Sequence, residues 1–256
     1  MPVGIRWNAV LALALVACAA IALAVIGFLP ALGESALPRR ATLPQVARDS
    51  GEAPAPDPSP SPNPGGFTVR STSDYSSEDS DSSTLHIVGE VLNSGPAAES
   101  VLVEVSFFSA GNVLLGGDFT VAAMRIVGSG ADSPFEILSV DAPAFHHYEL
   151  TVTEAVIPPA NGAQPVSGLV VKNVVESMDD DGHLHFSGKV DNTSDAAYDF
   201  VEPIGALYDA AGNVIRVSTT FTSPTTVAPG ATASFELVFR DPPPFTSKRF
   251  WVNAAP

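Results

Sequence analysis

Across its 256 residues the chain carries 12 Lys and Arg against 28 Asp and Glu, a formal charge of -16. That balance excludes a nucleic-acid surface, because neutralising phosphates needs clustered basic side chains. The single cysteine, Cys18, falls in an N-terminal apolar run, so the rest of the chain can build neither a disulfide framework nor a cysteine zinc site.

From Ala9 to Leu29 no residue is charged, and Ala, Leu, Val and Ile dominate. A helix of about 20 such residues spans hydrocarbon. Arg6 and Trp7 precede the run and suit a cytoplasmic start and a headgroup boundary, although Arg39 and Arg40 beyond it blunt the charge asymmetry. Three readings fit residues 1–37. The first is a retained signal anchor, preferred because the apolar run exceeds a usual signal-peptide core. The second is a cleaved secretory signal, with small residues at Ala31-Leu32-Gly33. The third is lipidation at Cys18, where Leu15-Val16-Ala17-Cys18 resembles a bacterial lipobox, against which the apolar run continues past the cysteine. Residues 38–66 follow as a Pro- and Ser-rich stalk. Its prolines lack the donor for helix or ladder, and in polyproline II it extends by about 3.1 Å per residue.

Beyond the stalk the chain repeats itself at a spacing of roughly 100 residues. Leu85-His86, Gly89, Val91 and Asn93 return as Leu184-His185, Gly188, Val190 and Asn192, and the Ala-Gly-Asn-Val of 110–113 returns at 211–214. Gly130-Ala131, Phe135-Glu136, Pro143, Phe145 and Val152 match Gly230-Ala231, Phe235-Glu236, Pro243, Phe245 and Val252. Two modules result, 67–157 and 168–256, joined by a linker at 158–167.

Each module alternates with strand periodicity. Phe67-Thr68-Val69 and Leu169-Val170-Val171 open the modules, each followed by an acidic loop. Leu85, Ile87, Gly89 and Val91 then line one face of a strand, with His86, Val88, Glu90 and Leu92 on the other. Val101, Val103, Val105 and Phe107 continue the pattern. Gly111-Asn112 and Gly212-Asn213 are placed to supply the positive backbone angles of a tight hairpin, and Pro229-Gly230 suits a type II turn before the strand at 235–239. Pro203 predicts an edge position or a bulge. Six or seven strands per module without a long amphipathic helix predict an all-β fold: two tandem antiparallel sandwiches, immunoglobulin- or fibronectin-like.

Gly-Glu-Val-Leu-Asn and Gly-Lys-Val-Asp-Asn, then Ala206-Leu207-Tyr208-Asp209, Ala228-Pro229-Gly230 and Phe235-Glu236-Leu237, resemble the FxLYD domain family over most of both modules. The second copy keeps Leu207, Tyr208 and Asp209, with Gly205 in place of the name-giving Phe. In the first copy Val105, Phe107, Phe108 and Ser109 occupy the motif. The resemblance implies bacterial or archaeal extracytoplasmic β-sandwich modules whose motif residues are structural, and it transfers no active site.

Few residues suggest chemistry. Asp181, His183 and His185 alternate, so that on a strand they would share a face as metal ligands, but the set is not repeated in the first copy. Asp179-Asp180-Asp181-Gly182 and Glu78-Asp79-Ser80-Asp81 lack EF-hand spacing and read as solvated loops. His146-His147 lies between Asp141 and Glu149 without a nucleophile setting. Gly-x-Ser-x-Gly, His-Glu-x-x-His and phosphate-cradling loops are missing from the sequence, so neither catalytic residue nor cofactor is expected. Asn192-Thr193-Ser194 fits a glycosylation sequon, but Asn93 occupies the same place without one, which favours a turn-capping role. The expectation is a membrane-anchored extracytoplasmic protein whose modules bind or space an envelope protein or polymer noncovalently. The alternatives are a secreted or lipid-anchored binding protein and, behind them, a metal-dependent hydrolase or metal-binding module.

Overall fold

A computed structural model describes residues 66–79 and 82–255. The apolar run, Cys18 and nearly all of the proline-rich stalk lie outside the described residues, as does part of the Glu78–Asp81 loop. The first module contributes β1 (Phe67–Asp79), β2 (Ser82–Asn93), β3 (Ala98–Phe108), β4 (Leu114–Val121), a two-residue β5 (Ile126–Val127), β6 (Asp132–Val140) and β7 (His147–Val156). After a 3-10 turn at Ala160–Gly162, the second contributes β8 (Leu169–Met178), β9 (Leu184–Asn192), β10 (Asp199–Tyr208), β11 (Val214–Thr219), β12 (Thr232–Phe239) and β13 (Ser247–Ala255).

The protein is all-β, and its antiparallel sheets pair as sandwiches. In the first module β1-β2-β6 faces a sheet in which β3 pairs with β4, β5 and β7; in the second, β8-β9-β12 faces β11-β10-β13. Alternation supplies each core: Ile87, Val91, Val103, Phe107 and Phe135 are buried in the first, and Leu184, Phe186, Val190, Leu207 and Phe235 in the second. The recurring glycine of the central strand has a packing cause. A Cβ on Gly89 would lie 2.8 Å from the Phe135 ring, and one on Gly188 only 2.6 Å from the Phe235 ring, so each phenylalanine crosses directly over a glycine that must stay bare.

Two local features differ from the sequence pattern, and a third lies outside it. The hairpin turns align one residue off the sequence match: Ser109 N bonds Val113 O and Asp209 N bonds Asn213 O, which superimposes Asn112 on Gly212. Those two residues carry the positive φ, 57° and 85°, and Gly111 and Asn213 do not. Pro203 lies in the central strand of its sheet, not at an edge; the register shift falls just upstream, between Asp199 and Glu202, and the Pro203 carbonyl still accepts from Thr220 N at 3.1 Å. Finally, β2 is buried on both faces. Val88 and Glu90, on the side opposite the core, are 0% and 2% exposed.

Candidate functional site

What buries the second face of β2 is the other module. Val88 clusters with Ala206, Tyr208 and Val214, flanked by Tyr75, Val217 and Trp251, so the outer face of β1-β2-β6 packs on the outer face of β11-β10-β13. Both sandwiches thereby form one compact unit. Ionic groups sit at this contact. Glu90 accepts from the Tyr208 hydroxyl at 2.6 Å and from Arg249 at 3.0 Å, and Arg249 also bonds both oxygens of Asp132 at 2.9 Å. The Trp251 indole donates to Asp132 at 3.2 Å and Arg70 to the same carboxylate at 2.7 Å. Burial works to raise the Asp132 carboxyl, but the bonds and charge of Arg249, the indole and the charge of Arg70 outweigh it and hold the group low. Burial first, then the Glu90 carboxylate, pushes the Tyr208 hydroxyl far above the ordinary phenol range.

A stack completes the contact. Arg216 lies 3.5 Å from the centre of the Tyr75 ring, and His86 stacks on Tyr75 at 4.3 Å. His86 Nδ1 also meets Glu136 at 2.8 Å. This histidine–glutamate pair recurs in the second module, where His185 Nδ1 meets Glu236 at 3.1 Å. It joins two recurring dipeptides, Leu-His and Phe-Glu, diagonally across paired strands.

The equivalent faces of the other two sheets lie open to solvent. On β8-β9-β12 the positions of Ser73, Val88 and Glu90 are taken by Val175, Ser187 and Lys189, as the strand registers show. Val175 is 64% exposed, and with Ser187, Lys189 and Phe221 it lines a shallow groove of about 690 Å³. On β4-β3-β7 the positions of Tyr208, Val214 and Arg249 are taken by Phe108, Leu114 and Glu149. Leu114 and Phe119 are 60% and 68% exposed. Among the described residues neither Lys189 nor Glu149 forms a salt bridge.

The Asp/His constellation takes a different form from the alternation on paper. Strand β9 begins at Leu184, so Asp181 and His183 lie in the preceding turn and only His185 is on the strand. Asp179, absent from the sequence-based trio, is the hub. Its Oδ1 accepts from the amides of Asp181 and His183 at 3.0 and 2.8 Å, and its Oδ2 meets His183 Nδ1 and His185 Nε2 at 3.2 and 3.1 Å. The His183 amide bond first, and then the His185 ring, holds the Asp179 carboxyl at about 2; bonds to Asp179 and then Glu236 raise His185. Ligand atoms of Asp179, Asp181 and His183 fall within 4.8 Å of one another, but a cation there would compete with four hydrogen bonds on one carboxylate. The same amide-accepting turn recurs at Asp209, which receives Ala211 and Asn213 at 2.9 and 2.8 Å without a histidine among its hydrogen-bond partners, so the turn accounts for the Oδ1 bonds of Asp179.

The remaining sequence candidates separate in space or serve the fold. His147 stacks on Phe108 at 5.2 Å and His146 contacts His147 edge-on. Asn192 is buried, with Nδ2 donating to Ala196 and Val227 carbonyls and Oδ1 accepting from Ser194 N. Asn93 does the same with Pro96, Val127 and Gly95. In this fold the Asn192 amide is therefore a corner brace, not a glycan acceptor. In the segment 205–209 Leu207 fills the core, Tyr208 faces the other module and Asp209 closes the turn; the space beside Gly205 is occupied by Leu237, Phe239 and Phe250. A further cleft of about 290 Å³ at the module junction is lined by Met124, Ile126, Pro165, Val166 and Tyr198 among others, with Arg125 as its one charge.

No protein-family model matches the chain, and no curated protein matches it. Among solved structures, a crystal structure of red sea bream transglutaminase is similar over 73% of this chain, at 12% identity and a TM-score of 0.25. The match spans 29% of that protein, and a likeness this slight carries no activity across.

Proposed function

We propose that this is a membrane-anchored extracytoplasmic protein whose duplicated sandwiches act in noncovalent binding or scaffolding at the cell envelope. The observation that carries the binding part is the pair of exposed outer faces, each bearing large apolar side chains and a charge that forms no salt bridge among the described residues. Their counterparts within the same chain form a packed interface. Patches of this kind on a soluble surface mark interaction sites. The apolar run Ala9 to Leu29, the proline-rich stretch and the FxLYD resemblance support the anchored, exported placement.

Protease added to intact cells is the test of placement. It is expected to cut between residues 38 and 66 and release both modules; their full protection, with a cytoplasmic control also protected, would contradict the topology. The mass of the mature N-terminus separates anchor, cleaved signal and lipid on Cys18. For binding, crosslinking in native envelope from cysteines placed at position 175 or 114 is expected to capture a partner, and recovery of uncrosslinked monomer alone would contradict it.

A further inference from the structure

The internal interface is a template for a second contact. It joins the outer face of the first module's β1-β2-β6 to the outer face of the second module's β11-β10-β13, and each module also carries the face that the other one uses. The chain therefore exposes one unused face of each kind. Strand register relates the central residues of the internal contact to residues on the unused faces.

At the centre of the internal contact Glu90 meets Arg249 at 3.0 Å. The corresponding residues on the free faces are Lys189 and Glu149: both charges are reversed, so the pair stays complementary. Tyr208, which also bonds Glu90, becomes Phe108, placing an aromatic ring beside the Lys189 position. Ser73, whose hydroxyl donates to the Val214 carbonyl, becomes Val175, and Val214 becomes Leu114. Both are among the most exposed large apolar residues of those described. The buried Val88–Ala206 contact becomes Ser187 against Ser106, which makes the second contact wetter and weaker than the internal one.

We propose that the chain associates head to tail with a second copy of itself, the β8-β9-β12 face of one packing on the β4-β3-β7 face of the next. This names the partner for the binding faces described above and rests on that reading, though not on which side of a membrane they lie. Because each copy presents one face of each kind, the contact is heterologous and propagates into a ring or a filament instead of stopping at a two-fold dimer. Charge complementarity sets its register and partner choice.

The test uses the full chain in detergent micelles with Cys18→Ser. Lys189→Glu and Glu149→Lys each place like charges together, and sedimentation is expected to show association at least ~10-fold weaker for either alone. Mixing the two variants restores a complementary pair at every contact and is expected to recover wild-type association. In parallel, Leu114→Cys with Val175→Cys, treated with a mild two-electron thiol oxidant, is expected to give a disulfide ladder of dimers, trimers and larger species. Wild-type protein that stays monomeric, single reversals without effect, a mixture that does not recover, or absence of the ladder would each overturn the proposal. Capture of a different envelope protein through the cysteine at position 175, with no ladder, would overturn self-association while leaving the binding role of the face intact.

Discussion

The outer face of β1-β2-β6 and that of β8-β9-β12 occupy the same position in two copies of one sandwich, and their chemistry has diverged in opposite directions. The first carries Val88, Glu90 and Asp132, all drawn into contact with the other module. The second carries Ser187, Lys189 and Thr232 at those positions and stays in solvent. Inward-facing residues changed little, because Gly89 with Phe135 and Gly188 with Phe235 solve one packing problem twice. Core residues thus record the shared fold, and outward ones record which face is covered within the chain.

Replacing the central outward charge in each copy should break the comparison most sharply. Glu90→Ala leaves the Tyr208 hydroxyl without its buried acceptor and takes one of two carboxylates from Arg249, which keeps Asp132, and is expected to cost about 2–4 kcal/mol in urea unfolding. Lys189→Ala is expected to stay within about 0.5 kcal/mol. Equal losses would mean that the two faces are not differently used. A smaller effect tests the shared interior: Gly89→Ala and Gly188→Ala each press a methyl group into a phenylalanine ring, and each is expected to destabilise by about 1–3 kcal/mol. A loss at one site only would show that the cores are not equivalent.

The smallest effect concerns the histidine that the second copy keeps near solvent. His185 gains Asp179 and Glu236 as partners, and its folded pKa is raised. Its contribution to stability is therefore fully present below about pH 6.5 and is lost as pH rises through the raised value. Histidine NMR titration should place His185 above the ordinary range, and Asp179→Asn should bring it down; an unchanged midpoint would remove Asp179 as the cause. The carboxyl of Asp179 behaves oppositely. Held at about 2, it contributes above the usual carboxylate range, and that contribution is lost only as pH falls through about 2.

Much of the interior was legible along the chain, because period-two alternation and the recurring Gly, Asn and Phe act through near neighbours or across one strand pairing. Turn register was less so. Asn and Gly both accept positive φ, so Ala-Gly-Asn-Val matched itself one residue away from the alignment that the turn hydrogen bonds impose. Burial of Val88 and Glu90 could not be read locally, since it depends on a sheet more than a hundred residues further on. Asp179 reads along the chain as one carboxylate of a solvated acidic loop, because its role as hydrogen-bond hub lies in the turn before β9 and not in the alternation of Asp181, His183 and His185. The histidine–glutamate pair did have a signal, in two dipeptides that recur together.

Side-chain accessibility at one equivalent pair tests the central claim most directly. With Cys18→Ser as background, Val88→Cys and Ser187→Cys put a thiol at the same register position of the two modules. In dilute protein the thiol at 187 is expected to react with maleimide at the rate of a free thiol, and the one at 88 only on unfolding. Equal reaction rates at the two positions in the folded protein would contradict the account.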